Sequence, residues 1–228
     1  MSIADNIKRV NERIENACIR CGRDSSEITL IGVTKTHGAD MVNEGISAGL
    51  TDIGENRVQE IMEKYDKIEK SAKIHLIGHL QTNKVKYIAD KVAMIHSVDS
   101  FKLAKEISDR AIKCDKVMDI LIQLNISGEE SKSGIAPERL DELLEQIKDL
   151  KGVFVRGLMT IPPVESGSMT KAREIFSSLS KIYIDKRVKI YDNIKMDVLS
   201  MGMSNDFEIA IEQGSTMVRV GRAIFGER

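Results

Sequence analysis

Two patterns of apolar and polar residues alternate along the chain. Eight short apolar runs rich in Ile and Val recur, and segments of helical period separate them. Continuous apolar runs of this length predict strands buried on both faces, as in parallel sheets. The predicted strands are 28–33, 50–53, 74–77, 92–96, 117–124, 153–158, 196–199 and 217–220.

Between the strands, amphipathic segments predict helices at 39–48, 56–67, 82–90, 100–113, 137–150, 169–185 and 206–212. Eight strand–helix units in 228 residues favour a closed (β/α)₈ TIM barrel over an open doubly wound sheet. No G-x-G-x-x-G segment opens a helix, which disfavours a Rossmann fold. We therefore expect one α/β domain over residues 1–228. Gly22, Gly152 and Gly214 are predicted C-caps, and Ser204 and Asn205 are predicted N-caps of the helix 206–212.

An extra helix precedes the first strand. Its apolar positions repeat at spacings of three and four, and they are Ile3, Ile7, Val10, Ile14, Cys18 and Cys21. This stripe predicts a helix docked on the barrel. The C-x-x-C pair belongs to the stripe, and no second pair exists to complete a zinc site. We therefore expect both cysteines to pack as small apolar groups and expect no metal site.

Composition excludes several classes of function. The chain has 34 basic and 35 acidic residues and a net charge of −1, so it has no general attraction for nucleic acid or for anionic membranes. No apolar run reaches 18 residues, and the N-terminus lacks the uninterrupted apolar core of a signal peptide. Three cysteines argue against a disulfide framework. We expect a cytoplasmic protein.

Candidate chemistry lies after the strands, because ligands of such barrels bind at the carboxyl ends of the strands. Lys35 follows the first strand in "LIGVTKTHG". Its amine could extend to solvent, or it could pair with a carboxylate such as Glu55. It could also form a Schiff base with a carbonyl compound. Position alone leaves these three interpretations open.

The segments after strands seven and eight favour the third interpretation. "LSMGMSND" places Ser204 at the start of a helix, and "VRVGRAIFG" places Gly221 and Arg222 at the last strand, in the two loops where barrels commonly bind phosphate. Arg219 lies inside an apolar strand, where its charge needs a partner. A phosphorylated aldehyde could bridge Lys35 and this region.

Seven ordered motifs between residues 28 and 228 resemble those of the pyridoxal phosphate homeostasis protein family, whose fold is similar to the N-terminal barrel of alanine racemase. The motifs are "GVTKTHG", "IGENRVQE", "HLIGHLQTNK", "HSVDS", "LNISGEESKSG", "RGLMTIPP" and "LSMGMSNDFEIAIEQGSTMVRVGRAIFGER". The resemblance implies pyridoxal 5'-phosphate as the cofactor. It implies these cofactor-binding residues: Lys35, Asn56, Ser200, Met201, Ser204, Arg219, Gly221 and Arg222.

Roles follow from the same resemblance. Lys35 matches the lysine that forms the Schiff base, and Ser204 belongs with the segment from Ser200 that contacts the phosphate. Gly221 and Arg222 match backbone donors to that phosphate. Arg219 matches an arginine at the pyridine nitrogen.

Two further loop residues follow by resemblance. Asn56 matches a residue near the cofactor, and Lys132 falls where the racemase carries a basic residue near the phenolic oxygen. Members of this family are thought to bind, buffer and deliver pyridoxal phosphate, which implies PLP-dependent apo-enzymes as recipients. The family is often monomeric, and we expect a monomer here.

An amino-acid racemase needs a second acid/base, which alanine racemase takes from another domain and a partner subunit. This sequence ends at Arg228, directly after the eighth unit, so we expect no such domain. His37 and His79 could act as bases, but single loop histidines are more often structural. We therefore expect little turnover. The alternatives are a PLP-dependent, racemase-like enzyme and an aldolase that uses Lys35 without a cofactor.

Overall fold

Eight parallel strands form a closed barrel in which β8 pairs with β1. The structure, a computed structural model, describes residues 2–129, 133–163, 169–188 and 191–226. The strands are β1 Thr29–Val33, β2 Asp52–Glu55, β3 Lys73–Leu76, β4 Met94–Val98, β5 Met118–Gln123, β6 Val153–Met159, β7 Ile194–Met203 and β8 Met217–Val220. The predicted barrel is confirmed.

Helices cover the outside of this barrel. They are α1 Ile3–Cys21, α2 Ala39–Ser47, α3 Val58–Lys64, α4 Phe101–Lys113, α5 Leu140–Ile147, α6 Met169–Lys186, α7 Phe207–Glu212 and α8 Arg222–Phe225. The predicted helix 82–90 is a 3₁₀ segment, Thr82–Tyr87, and a second one, Pro137–Arg139, precedes α5. Helix α8 was not predicted from the sequence. In the described part of the chain, no helix has the length and hydropathy needed to span a membrane.

Strand β7 is longer than predicted. It continues through Ser200 and Met201 to Met203, residues that the sequence analysis placed in a loop. The prediction that Ser204 or Asn205 caps the next helix is wrong, because the N-cap of α7 is Asp206. The Asp206 carboxylate accepts a 2.6 Å hydrogen bond from the Met203 N–H, which closes the turn between strand and helix.

Helix α1 docks on the barrel through the predicted stripe. Ile7, Ile14 and Cys18 are buried in a cluster that includes Phe207 of α7 and Phe225 of α8. At the same interface the guanidinium of Arg13 stacks over the Phe207 ring at 4.5 Å. The docking of α1 is confirmed.

Both cysteines of the C-x-x-C pair are free thiols. Cys18 is buried, and half-buried Cys21 donates its thiol to the Ala17 carbonyl at 3.2 Å. No cluster of three or more metal-ligating side chains occurs among the residues that the structure describes. The two thiols therefore belong to the packed face of α1.

The three predicted glycine caps have different outcomes. Gly22 ends α1 with φ +69°, and its N–H donates to the Ile19 carbonyl, as predicted. Gly152 and Gly214 are not C-caps, because the C-caps of α5 and α7 are Lys148 and Gln213. Glycine is required at 152 for space, since a Cβ atom there would lie 2.2 Å from the Ser108 carbonyl oxygen.

Candidate functional site

Lys35 lies in a tight turn directly after β1 and is half-buried. The residues on each side of it are held by carboxylates. The Thr34 hydroxyl donates to Glu55 Oε1 at 2.6 Å, and the Thr36 N–H donates to Glu60 Oε2 at 2.6 Å. Thr36 also has φ +69°, a conformation that β-branched residues rarely adopt. The lysine is therefore presented by a constrained turn.

A buried lysine from α3 braces the same turn. Lys64 Nζ donates to the Thr34 carbonyl at 2.9 Å, to Glu55 Oε1 at 2.8 Å and to Glu60 Oε2 at 3.2 Å. Burial raises the pKa of Glu55, while its hydrogen bonds from Lys64 and Thr34 act in the opposite direction. Glu55 is one of the partners that the sequence suggests for Lys35. In the structure Lys64 supplies an ion pair to that carboxylate.

Ser204 and Gly221 meet at the end of β8. The Gly221 N–H donates to Ser204 Oγ at 3.2 Å. A Cβ atom at Gly221 would lie 3.3 Å from the Val33 carbonyl oxygen, so this glycine abuts the end of β1. Arg222 follows as the exposed first residue of α8. Barrel closure thus places the end of β8, where Ser204 and Gly221 meet, beside the strand that leads to Lys35.

The remaining predicted residues fall in different environments. Asn56 follows β2, and its buried Oδ1 has no hydrogen-bond partner among the described residues. Its backbone lies against Gly78, where a Cβ atom would be 2.3 Å from the Asn56 carbonyl oxygen. The side chain of Met201 is buried in the main core cluster. Lys132 lies outside the described residues.

Arg219 is a buried cation held by neutral oxygens. It is 3% exposed, and it donates to Ser200 Oγ at 2.5 Å and to the Thr160 carbonyl at 2.9 Å. Burial lowers its pKa to about 10, while the nearby charge of Asp206 acts in the opposite direction, so the guanidinium is protonated at neutral pH. Two of its five N–H donors are used in these bonds.

Three buried polar residues near Arg219 were not found from the sequence. His96 Nδ1 lies 3.0 Å from Ser200 Oγ, His96 Nε2 lies 2.9 Å from His75 Nδ1, and His75 Nε2 lies 2.8 Å from Asp52 Oδ1. All three lie in strands. The signal that could have found them is the one that identified Arg219, a polar residue inside an otherwise apolar run.

Each of these groups has a defined chemical preference. Lys35 offers an amine, Ser204 a hydroxyl group, and Arg219 a charged donor. Unsatisfied Asn56 Oδ1 requires a donor or a water molecule, because a buried oxygen without one is unfavourable. An anionic ligand with an electrophilic carbon and a hydrogen-bond acceptor suits this set.

Comparison with known proteins first gives the class of barrel. The family model of the alanine racemase N-terminal domain matches residues 2–228. An alanine racemase of Clostridium difficile is 18% identical with a TM-score of 0.69, covering 98% of this chain and 60% of the racemase. At that identity the likeness concerns the fold. The protein is therefore a barrel of the alanine racemase N-terminal class.

Curated relatives give the family. The pyridoxal phosphate homeostasis protein of Aquifex aeolicus is 44% identical, covering 100% of this chain and 99% of the relative. That of Escherichia coli is 40% identical, covering 99% and 97%. PipY of Synechococcus elongatus, solved with PLP bound, is 29% identical with a TM-score of 0.84, covering 99% and 100%. The chain belongs to the pyridoxal phosphate homeostasis protein family.

Proposed function

We propose that this protein holds pyridoxal 5'-phosphate as a Schiff base on Lys35 and takes part in intracellular PLP homeostasis. The observation that carries the proposal is the junction of β1 and β8, where the constrained Lys35 turn adjoins the Ser204–Gly221 pair. Membership of the family and the PLP bound to PipY support the choice of ligand.

The residues of this chain divide the work of binding. When bound, the cofactor would supply an aldehyde, and the Lys35 amine would hold it covalently. Ser204, Gly221 and Arg222 would bind the phosphate through hydroxyl and backbone N–H groups. Arg219 would donate to the ring nitrogen. Asn56 lies at the edge of the site, with Ser200 and Met201 forming the strand behind it.

The same residues favour holding over turnover. Arg219 is a donor only, so it disfavours a protonated ring nitrogen and weakens the electron sink that carbanion chemistry needs. His79 is exposed, with Nδ1 3.9 Å from Asp99 Oδ2, and the His37 ring packs 5.3 Å from the Phe225 ring. Neither arrangement marks a second acid/base. We propose a cytoplasmic monomer that passes PLP to apo-enzymes.

Absorption spectroscopy tests the cofactor proposal. Purified protein titrated with PLP is expected to develop Schiff-base absorption, and Lys35→Ala is expected to abolish it. Lys102→Ala is the matched control, because Lys102 is an exposed lysine at the start of α4. A wild type that stays colourless and takes up no PLP contradicts the proposal and favours the cofactor-free aldolase.

Racemase-like catalysis is the second candidate, because the family model matches almost the entire chain. Proton–deuterium exchange at Cα, measured with PLP-loaded protein across a panel of amino acids, separates the two functions. We expect exchange close to the rate of free PLP. Rapid exchange with one amino acid that depends on Lys35 would establish the enzyme instead.

A further inference from the structure

A hydrogen-bonded network of five buried side chains extends from Arg219 through the barrel interior. This interior network consists of Asp52 on β2, His75 on β3, His96 on β4, Ser200 on β7 and Arg219 on β8. Its four links measure 2.8, 2.9, 3.0 and 2.5 Å from the aspartate to the arginine. Each of the five residues is at most 7% exposed.

The network passes through the inside of the barrel. Strands β4 and β7 are not neighbours in the sheet, since two strands separate them on one side and four on the other. A contact between His96 and Ser200 can therefore form only across the barrel interior. Both residues are 0% exposed, so each polar atom must find its partner within the protein.

Its two ends set the direction of the outer hydrogen bonds. Arg219 can only donate, and an ionised Asp52 can only accept. Burial alone would raise the pKa of Asp52, but hydrogen bonds from His75 and Thr51 outweigh it and the pKa is lowered. Ser200 then accepts from Arg219, which leaves its hydroxyl proton available for His96 Nδ1.

The two histidines continue this direction. With both rings neutral, His75 donates from Nε2 to Asp52, and His96 donates from Nε2 to His75 Nδ1. Each histidine then carries its proton on Nε2. Burial, together with the charge of Arg219, holds the pKa of His96 well below its usual range, which is consistent with the neutral form.

We propose that Asp52, His75 and His96 are positioning residues of the cofactor site. They orient the Ser200 hydroxyl so that its lone pairs face Arg219, and this contact fixes the position of the guanidinium. The inference rests on the proposed function, because Arg219, which these residues orient, is the proposed donor to the ring nitrogen of PLP. With His96 removed, the Ser200 hydroxyl loses its acceptor and its rotation is no longer set. Arg219 then loses a defined partner at Nη1.

Nuclear magnetic resonance of the cofactor-free protein tests the direction of the network. Long-range ¹H–¹⁵N correlation spectra distinguish the histidine tautomers. We expect both His75 and His96 to be protonated on Nε2 alone at pH 7.5, and Ser200→Ala to perturb the Nδ1 signal of His96. A proton on Nδ1 of either ring, or two protons on His96, would overturn the assignment.

PLP titration tests the positioning role. Loss of one fixing hydrogen bond is expected to raise the dissociation constant of His96→Leu about 10-fold. His96→Asn, whose amide oxygen can replace Nδ1 as acceptor, is expected to restore affinity to within about 3-fold. In the Arg219→Gln background the two variants should bind equally, because His96 acts through Arg219.

Ser108→Ala is the control for a general loss of stability. Ser108 is 2% exposed, and its hydroxyl accepts from the Gly152 N–H outside the interior network. The Ser108→Ala variant should have a lower melting temperature and an unchanged PLP affinity. If His96→Leu weakens PLP binding equally in the wild-type and Arg219→Gln backgrounds, the positioning role is overturned. A wild type that binds no PLP would refute the proposed function, while the tautomer spectra would still decide the hydrogen-bond direction.

Discussion

The guanidinium of Arg219 is stabilised by oxygen atoms without formal charge, which is an unusual environment for a buried cation. Ser200 and Thr160 supply these oxygens, and the charge of Asp206 also affects the pKa of the guanidinium. Such an arrangement leaves the positive charge available to a ligand, because no carboxylate neutralises it at short range within the described residues.

Replacement of Arg219 by glutamine should therefore weaken PLP binding without removing the covalent link. We expect Arg219→Gln to raise the dissociation constant about 10-fold to 100-fold, since a hydrogen bond to a charged donor contributes about 1.5–3 kcal/mol. Lys35 should still form the Schiff base at saturating PLP. Spectrophotometric titration measures both effects, and an unchanged affinity would show that Arg219 does not reach the ligand.

At the residue scale, the sequence identified single candidate residues but not the contacts between side chains. A charge in an apolar strand singled out Arg219, and a lysine at a strand end singled out Lys35. His75 and His96 carry the same kind of signal. Their partnership depends on side chains meeting across a closed barrel, and no local pattern encodes that contact.

At the scale of elements, β6 and β7 approach unusually closely at Gly157. This glycine has φ +155°, and a Cβ atom there would lie 1.8 Å from the Val198 carbonyl oxygen. The register between the two strands shifts at the same point. A side chain at 157 would therefore push against the backbone of its neighbouring strand.

Gly157→Ala is expected to destabilise the fold by about 3 kcal/mol or more, because the clash involves backbone and cannot relax by a rotamer change. Gly128→Ala is the matched control. Gly128 has φ +70° with nothing within 4 Å of the added atom, so only the conformational cost of about 1 kcal/mol applies. Urea unfolding measures both, and equal losses would contradict the steric explanation.

Sequence periodicity located all eight strands but not every boundary. Apolar runs end in the sequence where their residues become polar or small, so Ser200 and Gly202 ended the prediction of β7 early. Both are buried, which allows the strand to continue to Met203. Helix α8 has four residues, too few for a helical period to be recognised.

At the scale of the whole molecule, the buried network makes stability depend on pH. The folded protein keeps His96 neutral between His75 and Arg219, whereas the unfolded chain takes up a proton near the ordinary value of 6.5. Because the unfolded state binds more protons below that pH, the free energy of unfolding should fall as pH falls.

Urea unfolding at pH 7.5 and 5.5 measures this dependence. Between these values wild type should lose about 1.4 kcal/mol more than His96→Asn, which carries no titrating group at this position. The difference between variants isolates His96 from buried carboxyls such as Glu55, whose raised pKa acts with the opposite sign. Ser108→Ala should respond as wild type does. Identical slopes for wild type and His96→Asn would exclude His96 as the source.

The closed sheet order follows from eight repeated units, and the sequence predicted it for that reason. The closure itself has a consequence for folding. Lys35 lies early in the sequence, whereas Ser204 and Gly221 lie late, and pairing of β1 with β8 brings them together. Contacts between distant parts of a chain form slowly. During refolding, PLP binding should therefore recover only when β1 pairs with β8, after most helices and strands have formed.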